Sequence, residues 1–113
     1  MIVGIGVDIL EVSRIKKEQS RRILSEQELK IFDSFSLESR QLEFLAGRFT
    51  LKEAVIKAIG RTNYRVGMRD ITIINDETGM PQIIEPNIET LKIHITLSHE
   101  KDYCIGMCII ENV

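Results

Sequence analysis

Two carboxylates, Asp8 and Glu53, occupy positions that do not suit an ordinary surface charge. Asp8 follows a short apolar run with two glycines, and Glu53 lies in an otherwise apolar segment that is predicted to form one helix. Burial of an unpaired carboxylate is costly, so Glu53 requires a cation, a metal ion or strong hydrogen-bond donors. If the two carboxylates converge, they form an open oxygen site that suits magnesium together with water and phosphate oxygens.

Basic side chains in the same helix could hold a phosphorylated ligand. Lys57 lies one turn beyond Glu53, and Arg48 and Lys52 lie one turn apart on the other flank. Judged alone, Lys57 is most simply an i,i+4 partner of Glu53, which is a weak surface pair. Taken together with the carboxylates, these bases are what a polyphosphate ligand requires.

The first strand is predicted over Ile2–Asp8, because the apolar run is too short for a helix. Alternation leaves Gly4, Gly6 and Asp8 on one face, so another backbone or a ligand can approach that face closely. Asp8 also begins a D-x-x-E pattern that ends at Glu11, the form of a capping box that opens a helix. Caps are commoner than metal sites, so spacing alone favours a capping role for Asp8 over a ligand role.

Helices are predicted for the middle of the chain. One begins at about Ile9, and a second is opened by a capping box formed by Ser25 and Glu28. The long helix begins near Leu37 or Ser39 and ends at Gly60, a residue suited to the left-handed cap position. Because its apolar residues form stripes on two opposite sides, one of which includes Phe44, this helix is expected to be buried.

Strands are predicted for the remainder. Ile71–Ile74 and Pro81–Ile84 read as a hairpin with a glycine-containing turn. Lys92–Ser98 alternates cleanly, residues 99–102 form a turn, and Tyr103–Ile110 returns as the last strand. The expected fold class is therefore α+β, with an antiparallel sheet packed against a long buried helix, in a single domain spanning residues 1–113.

Composition is typical of a soluble globular protein, with 43% apolar and 28% charged residues. The 15 basic residues nearly balance the 17 acidic ones, so net charge indicates no preference for nucleic acid or membranes. The N-terminal residues do not resemble a signal peptide, and a cytoplasmic location is the default expectation. Cys104 and Cys108 complete no zinc pattern and are interpreted as small buried hydrophobic residues.

Five basic residues and a single acidic one fall between Arg14 and Arg22. Such a run is usually a solvated face, although it could also dock an acidic partner. His99 follows Ser98 at the predicted end of a strand. A histidine in that position is more often structural, and a contact with a phosphate or leaving group is the alternative.

Three blocks of the chain together resemble the small 4′-phosphopantetheinyl transferases of the holo-acyl-carrier-protein synthase type. The blocks are Gly4–Ile9 with Arg14 and Ile15, Phe44–Ala54 continuing to Lys57 and Ala58, and Thr96–His99. They occur in the family's order and at about its spacing, and the resemblance covers nearly the whole chain. The central block is the most specific of the three.

The resemblance implies transfer of the phosphopantetheine arm of coenzyme A to a serine of apo-acyl carrier protein, in support of fatty acid biosynthesis. Adenosine 3′,5′-bisphosphate is the second product. Asp8 and Glu53 then bind magnesium, and Glu53, directly or through a water on the metal, deprotonates the serine. Lys57 acts with magnesium to stabilise charge on the pyrophosphate.

The resemblance also implies a set of binding residues and a homotrimer with active sites between subunits. Residues assigned to coenzyme A are Arg48, Lys52, Lys57, Gly60, Pro81, Ser98 and His99. Residues assigned to the acidic carrier protein are Arg14, Arg22 and Arg40.

A second class of function remains open from the residues alone. In it, the chain is a non-catalytic binding module whose basic run holds an acidic protein or nucleic acid. Asp8 is then a helix cap and Glu53 one half of a helix pair. The two hypotheses differ over whether Glu53 is essential for a chemical step.

Overall fold

The computed structural model of the protein describes all residues from Met1 to Val113. Three short 3₁₀ turns occupy Val12–Arg14, Lys17–Gln19 and Met68–Asp70. The α+β class and the order of the elements agree with the prediction. The helices and strands are β1 (Ile2–Glu11), α1 (Ser20–Ile23), α2 (Glu26–Ser34), α3 (Glu38–Ile59), β2 (Thr72–Asn75), β3 (Pro81–Glu85), β4 (Leu91–Glu100) and β5 (Tyr103–Asn112).

The five strands form two antiparallel sheets. β1, β5 and β4 make a three-stranded sheet in that spatial order, and β2 pairs only with β3. Both predicted hairpins, β2–β3 and β4–β5, are therefore confirmed. Because β5 lies between β1 and β4, the first and last strands of the chain are neighbours.

β1 continues through Glu11, so the prediction that a helix begins near Ile9 is wrong. Asp8 lies within the strand opposite Gly106, and the residues after it remain paired with β5 as far as Glu11 opposite Tyr103. The capping interpretation of Asp8 is wrong for the same reason. Long-range strand pairing supplies the backbone hydrogen bonds that a helix would have made, and this outweighs the local capping pattern.

The bare face of β1 is covered by the backbone of α3. A Cβ atom placed on Gly6 would lie 2.0 Å from the carbonyl oxygen of Ala54, and one on Gly4 would lie 2.3 Å from that of Ala58. No side chain fits at either position, so the glycines set the distance between strand and helix. Asp8 is the next residue on this face and is consequently held beside α3.

α3 is buried on two sides, as predicted. On one side Leu51, Val55 and Ile59 pack into a cluster with residues of β2 and β5. On the other, Leu45 and Ala46 belong to a cluster formed with the end of β1, α1 and α2. At 22 residues α3 is the longest helix, and none of the helices has the length and apolar character needed to cross a membrane.

The C-terminus of α3 differs from the prediction. Gly60 follows the last helical residue, but its φ of −59° lies in the right-handed region. The prediction of a left-handed cap is therefore wrong. The amide of Arg61 donates to Ala58 at 3.2 Å and that of Thr62 to Ile59 at 2.8 Å. These tight turns satisfy the last carbonyls without a positive φ.

The predicted capping box at Ser25 is confirmed. Its hydroxyl accepts from the amide of Glu28 at 3.4 Å, and its own amide donates to the Glu28 carboxylate at 2.9 Å. Glu28 is fully buried, which a capping residue does not require. Its carboxylate therefore has a further role inside the protein.

The thiol of Cys108 is expected to be unreactive toward Ellman's reagent in the folded protein at pH 8. Cys104 and Cys108 are both free and buried, as predicted. Burial raises the pKa of Cys108 to about 12, so almost no thiolate forms at that pH. Measurement of thiol release before and after denaturation checks this expectation. Rapid modification of Cys108 in the native protein would contradict the burial of its side chain.

Candidate active site

A cleft of about 330 Å³ lies between β1 and α3 and contains both carboxylates singled out in the sequence. Asp8 enters it from the strand, and Glu53 and Phe49 enter from the helix. Arg14 lines the same cleft from the turn that follows β1. Asp8 and Glu53, which are 45 positions apart in sequence, therefore converge because the glycines of β1 allow α3 to cross so closely.

Glu53 makes no ion pair, although a partner was predicted for it. It is half-buried rather than fully buried. Its carboxylate oxygens are not buried, because every buried side-chain polar atom in the protein has a hydrogen-bond partner and these oxygens have none. They are therefore accessible from the cleft that Glu53 lines. A carboxylate in this state is free to accept a proton or to bind a cation.

Lys57 contacts Asp8 rather than Glu53. Its Nζ atom donates to Oδ1 of Asp8 at 3.0 Å and to the carbonyl oxygen of Val7 at 3.0 Å. The interpretation of Lys57 as an i,i+4 partner of Glu53 is therefore wrong. With half of its side chain exposed, Lys57 brings a positive charge to the edge of the carboxylate cleft.

A second cleft, of about 300 Å³, lies on another side of α3. Arg48 and Glu53 are five residues apart, which places them about 140° apart around the helix axis. The wall of this cleft also includes Arg40, His99 and Pro81. Three side chains that can carry positive charge thus line the cleft against a single carboxylate, Glu43, which favours an anionic ligand.

Arg48 is fixed in this cleft by contacts on three sides. Nε donates to the carbonyl oxygen of Ile73 at 3.0 Å, and Nη2 donates to Oδ1 of Asn75 at 3.1 Å. The guanidinium lies 4.4 Å from the ring centroid of Phe44. Burial lowers the pKa of Arg48, and the nearby Glu28 carboxylate partly offsets this shift. Because a guanidinium has a very high intrinsic pKa, the side chain still carries its positive charge.

His99 lies in β4 opposite Cys104, whereas it was predicted to lie in a turn. The turn consists of Lys101 and Asp102, and Lys101 has a φ of +43°. Nε2 of His99 is 3.7 Å from the position that a Cβ atom on Gly47 would take. The imidazole therefore lies beside Gly47 of α3, in the second cleft.

Lys52 does not reach either cleft, so its predicted role in ligand binding is corrected. Its side chain is fully buried and forms an ion pair with Glu28. Nζ also donates to the carbonyl oxygens of Ile23 at 2.8 Å and Met68 at 3.0 Å. Burial lowers the pKa of Lys52, the Glu28 carboxylate opposes this, and all three donors of the ammonium are occupied.

The remaining predicted residues lie in different places. Ser98 is exposed and points to the opposite face of β4 from His99, and Gly60 is exposed at the end of α3. Arg22 is exposed in α1, outside the two clefts. Arg40 was assigned to the carrier protein and lies in the second cleft, with its guanidinium 5.0 Å from the ring centroid of Phe35.

Sequence reasoning missed Glu28, Asn75 and Phe44. Glu28 was recognised only as half of a capping box, although it is also the buried partner of Lys52. Asn75 was placed in a turn, and nothing in its neighbours indicated a contact with Arg48. Phe44 was assigned to an apolar stripe, and its spacing of four residues from Arg48 could have suggested the cation–π contact.

The sequence profile of the 4′-phosphopantetheinyl transferase superfamily matches residues 4–108. The chain belongs to this superfamily. The matched segment begins on the bare face of β1, includes both clefts and ends in β5. Each of the three blocks that carry the resemblance therefore lies within the region that the transferase family shares.

Named relatives agree with this assignment. The chain is 43% identical over 120 residues to a holo-acyl-carrier-protein synthase of Staphylococcus carnosus, with all of both chains covered. It is 44% identical to the enzyme of the same name from Geobacillus sp., covering 100% of this chain and 99% of the other. The predicted resemblance to this transferase family is confirmed.

Solved structures give the same result for the fold. A holo-(acyl-carrier-protein) synthase from Bacillus anthracis, in complex with CoA (3′,5′-ADP), aligns with a TM-score of 0.87 and 38% identity. The alignment covers 100% of this chain and 99% of that one. The synthase from Thermotoga maritima aligns with a TM-score of 0.84 and 33% identity, covering 100% of this chain and 66% of the other. The predicted fold of a small phosphopantetheinyl transferase is confirmed.

Proposed function

We propose that this chain transfers the 4′-phosphopantetheine arm of coenzyme A to a serine of apo-acyl carrier protein and thereby supports fatty acid biosynthesis. The observation that carries the proposal is the cleft in which Asp8 and Glu53 converge. It occurs in a chain that matches the transferase superfamily over residues 4–108. The proposed location is the cytoplasm.

Magnesium is the proposed cofactor, held by Asp8 and Glu53. The fit rests on the donor set, because both groups supply carboxylate oxygens. Glu53 makes no ion pair, and Lys57 occupies only Oδ1 of Asp8. No three potential ligands among His, Cys, Asp and Glu come together in the chain. Two protein carboxylates with water and phosphate completing the coordination is an arrangement that suits magnesium. When bound, the ion supplies charge neutralisation at the pyrophosphate.

The proposed chemical step is an in-line displacement at the phosphorus atom that carries the pantetheine arm. Glu53 accepts the proton of the serine hydroxyl, and the serine oxygen forms a bond to that phosphorus. The pyrophosphate P–O bond breaks, and adenosine 3′,5′-bisphosphate leaves with the electron pair. Lys57 stabilises the negative charge that develops on the phosphate oxygens.

The second cleft is the proposed site for the nucleotide end of coenzyme A. Arg48 presents a fixed guanidinium there, and Arg40 and His99 add two further groups that can carry positive charge. Planar guanidinium groups recognise phosphate with two hydrogen bonds, which suits the charge of this part of the ligand. Pro81 contributes an apolar surface on the β3 side.

The exposed basic run between Arg14 and Arg22 is the proposed docking site for the acidic carrier protein. All five of its basic residues are exposed. Arg14 also lines the carboxylate cleft, which connects the basic surface with the proposed site of transfer. Local positive charge of this kind accelerates association with an acidic partner and loses effect as salt is added.

A homotrimer with active sites between neighbouring subunits is the proposed assembly. On the face of the three-stranded sheet turned away from α3, the residues of β1 and β5 are apolar and uncovered, whereas those of β4 are polar. The apolar residues include Ile5, Val7 and Ile9, each more than half exposed, and Ile105 and Met107 from the central strand. An apolar surface of this kind is typical of an interface between subunits. Assembly would also allow the carboxylate cleft of one chain and the second cleft of its neighbour to form one active site.

Met107→Glu is expected to convert the trimer to a monomer and to reduce transfer at least tenfold. Met107 is 40% exposed in the centre of the open sheet face, so a carboxylate there would be buried without a partner on association. Light scattering after size-exclusion chromatography measures the molar mass. Ile84→Glu is the matched control, because Ile84 is 44% exposed on the separate two-stranded sheet. If Met107→Glu remains trimeric, the interface lies elsewhere.

Intact mass spectrometry of apo-acyl carrier protein provides the direct test of the proposed function. The carrier protein is incubated with this chain, coenzyme A and magnesium. The expected result is a gain equal to one phosphopantetheine arm that depends on all three components. Complex formation without any gain in mass would instead indicate a binding module and would overturn the transferase proposal.

A further inference from the structure

A buried carboxylate, Glu28, connects three elements that are far apart in sequence. Its Oε1 atom accepts from the Ser25 amide at 2.9 Å and from the Lys52 ammonium. Its Oε2 atom accepts from the amide of Ile73 at 2.8 Å. Glu28 therefore joins the start of α2, the middle of α3 and strand β2 through a single side chain with no exposed surface.

Ile73 is held on both sides of its peptide backbone. Its amide donates to Glu28, and its carbonyl oxygen accepts from Nε of Arg48 at 3.0 Å. The same Nε atom lies 3.9 Å from Oε2 of Glu28, so the carboxylate and the guanidinium also attract each other. The cluster thereby fixes the position of β2 relative to α3.

β2 and β3 make strand hydrogen bonds only with each other, so side-chain contacts attach the hairpin to the rest of the protein. These contacts include the side chain of Ile73 in the core, the 2.8 Å hydrogen bond between the hydroxyls of Thr72 and Ser25, and the Glu28 cluster. Asn75, Gly79 and Pro81 of this hairpin form one wall of the second cleft. Asn75 lies two residues beyond Ile73 and accepts from Nη2 of Arg48 at 3.1 Å. The hydrogen bonds of Glu28 and Arg48 to the backbone of Ile73 are therefore among the contacts that set the position of that wall.

We infer that Glu28 is a positioning residue for coenzyme A, acting through Ile73 and Arg48 on the hairpin wall of the second cleft. The inference rests on the proposed function, since it takes that cleft as the nucleotide site. Glu28 itself is fully buried and touches no ligand. Glu28 affects the affinity for coenzyme A. It does not affect the rate of the chemical step, because Asp8 and Glu53 lie on a different side of α3.

Glutamine cannot replace Glu28 in this role. Both carboxylate oxygens accept hydrogen bonds, one from Ser25 and Lys52 and the other from Ile73. An amide has one acceptor oxygen and one donor nitrogen. In the glutamine variant, either the donors of Ser25 and Lys52 or the amide of Ile73 would therefore lack an acceptor. Lys52 would also lose its charged partner. The double variant Glu28→Gln/Lys52→Met removes the unpaired ammonium and is the form expected to fold.

Glu28→Gln/Lys52→Met is expected to raise the KM for coenzyme A about tenfold, the change associated with loss of one hydrogen bond from a charged group. The kcat at saturating coenzyme A should stay within about twofold of the wild type, because the KM reports ground-state binding. The affinity for adenosine 3′,5′-bisphosphate, measured by titration calorimetry, should fall by the same factor.

Asn75→Ala tests whether the effect travels through the hairpin. In the wild-type background this exposed substitution should raise the KM severalfold, because it removes the acceptor for Nη2 of Arg48. In the Glu28→Gln/Lys52→Met background it should add little, because the wall is already displaced. Multiplicative effects of the two changes would show that they act independently and would overturn the inference.

Leu45→Ala is the control for loss of stability alone. Leu45 is fully buried in the cluster that contains no residue of β2, and it lines neither cleft, so this variant should unfold more easily while its KM for coenzyme A is unchanged. An unchanged KM in Glu28→Gln/Lys52→Met, or a fall in kcat without a change in KM, would also overturn the inference. Failure of the wild type to transfer the arm is a separate outcome that refutes the proposed function.

Discussion

Glu53→Gln is expected to reduce the kcat for transfer by about a thousandfold, because it removes both the proposed general base and one of two metal ligands. The half-buried carboxylate makes no ion pair, so its loss should not destabilise the protein. The unfolding temperature should stay the same or rise slightly. Magnesium binding to the free protein, followed by calorimetry, should weaken together with the activity.

Glu38→Gln is the matched control for this prediction. Glu38 is at the first turn of the same helix, is mostly exposed and makes only a 4.0 Å contact with Lys17. The same change of carboxylate to amide there should leave transfer unaffected. Glu53→Gln protein that modified the carrier protein at the normal rate would remove Glu53 from both proposed roles.

The convergence of Asp8 and Glu53 illustrates what the sequence could predict. The glycines of β1 indicated that another backbone could approach, and the charge within an apolar helix indicated an unusual carboxylate. The capping pattern instead predicted that Asp8 caps a helix. That prediction is wrong because Ile9–Glu11 remain paired with β5. A local sequence pattern cannot predict strand pairing between residues almost a hundred positions apart.

Lys52 and Glu28 show a different limit of sequence reasoning. Lys52 has the spacing of a ligand-binding base, and Glu28 has the spacing of a capping residue. Each is fully buried because it pairs with the other, and the pair is 24 positions apart. The sequence could not predict this pairing, because it depends on how α2 lies against α3. The i,i+4 pairing of Lys57 with Glu53 also fails, because the crossing of β1 brings Asp8 to Lys57.

Gly6→Ala is expected to lower the unfolding temperature by roughly 10 °C or more. The added Cβ atom would lie 2.0 Å from the carbonyl oxygen of Ala54 and 2.9 Å from the amide nitrogen of Ala58. Both obstacles are helix backbone, which cannot rotate aside as a flexible side chain can. The strand and helix must therefore separate, at a cost of about 3 kcal/mol.

Separation of β1 from α3 should also impair transfer at temperatures where the variant is still folded. Asp8 lies two residues beyond Gly6 on the same face, so a displaced strand moves its carboxylate away from Glu53. Gly67→Ala is the control, because its Cβ atom would meet only Oδ2 of Asp70, at 3.5 Å, and its φ of −99° suits alanine. That variant should match the wild type in stability and rate. Normal activity in folded Gly6→Ala protein would mean that the close approach of strand and helix is not what brings the two carboxylates together.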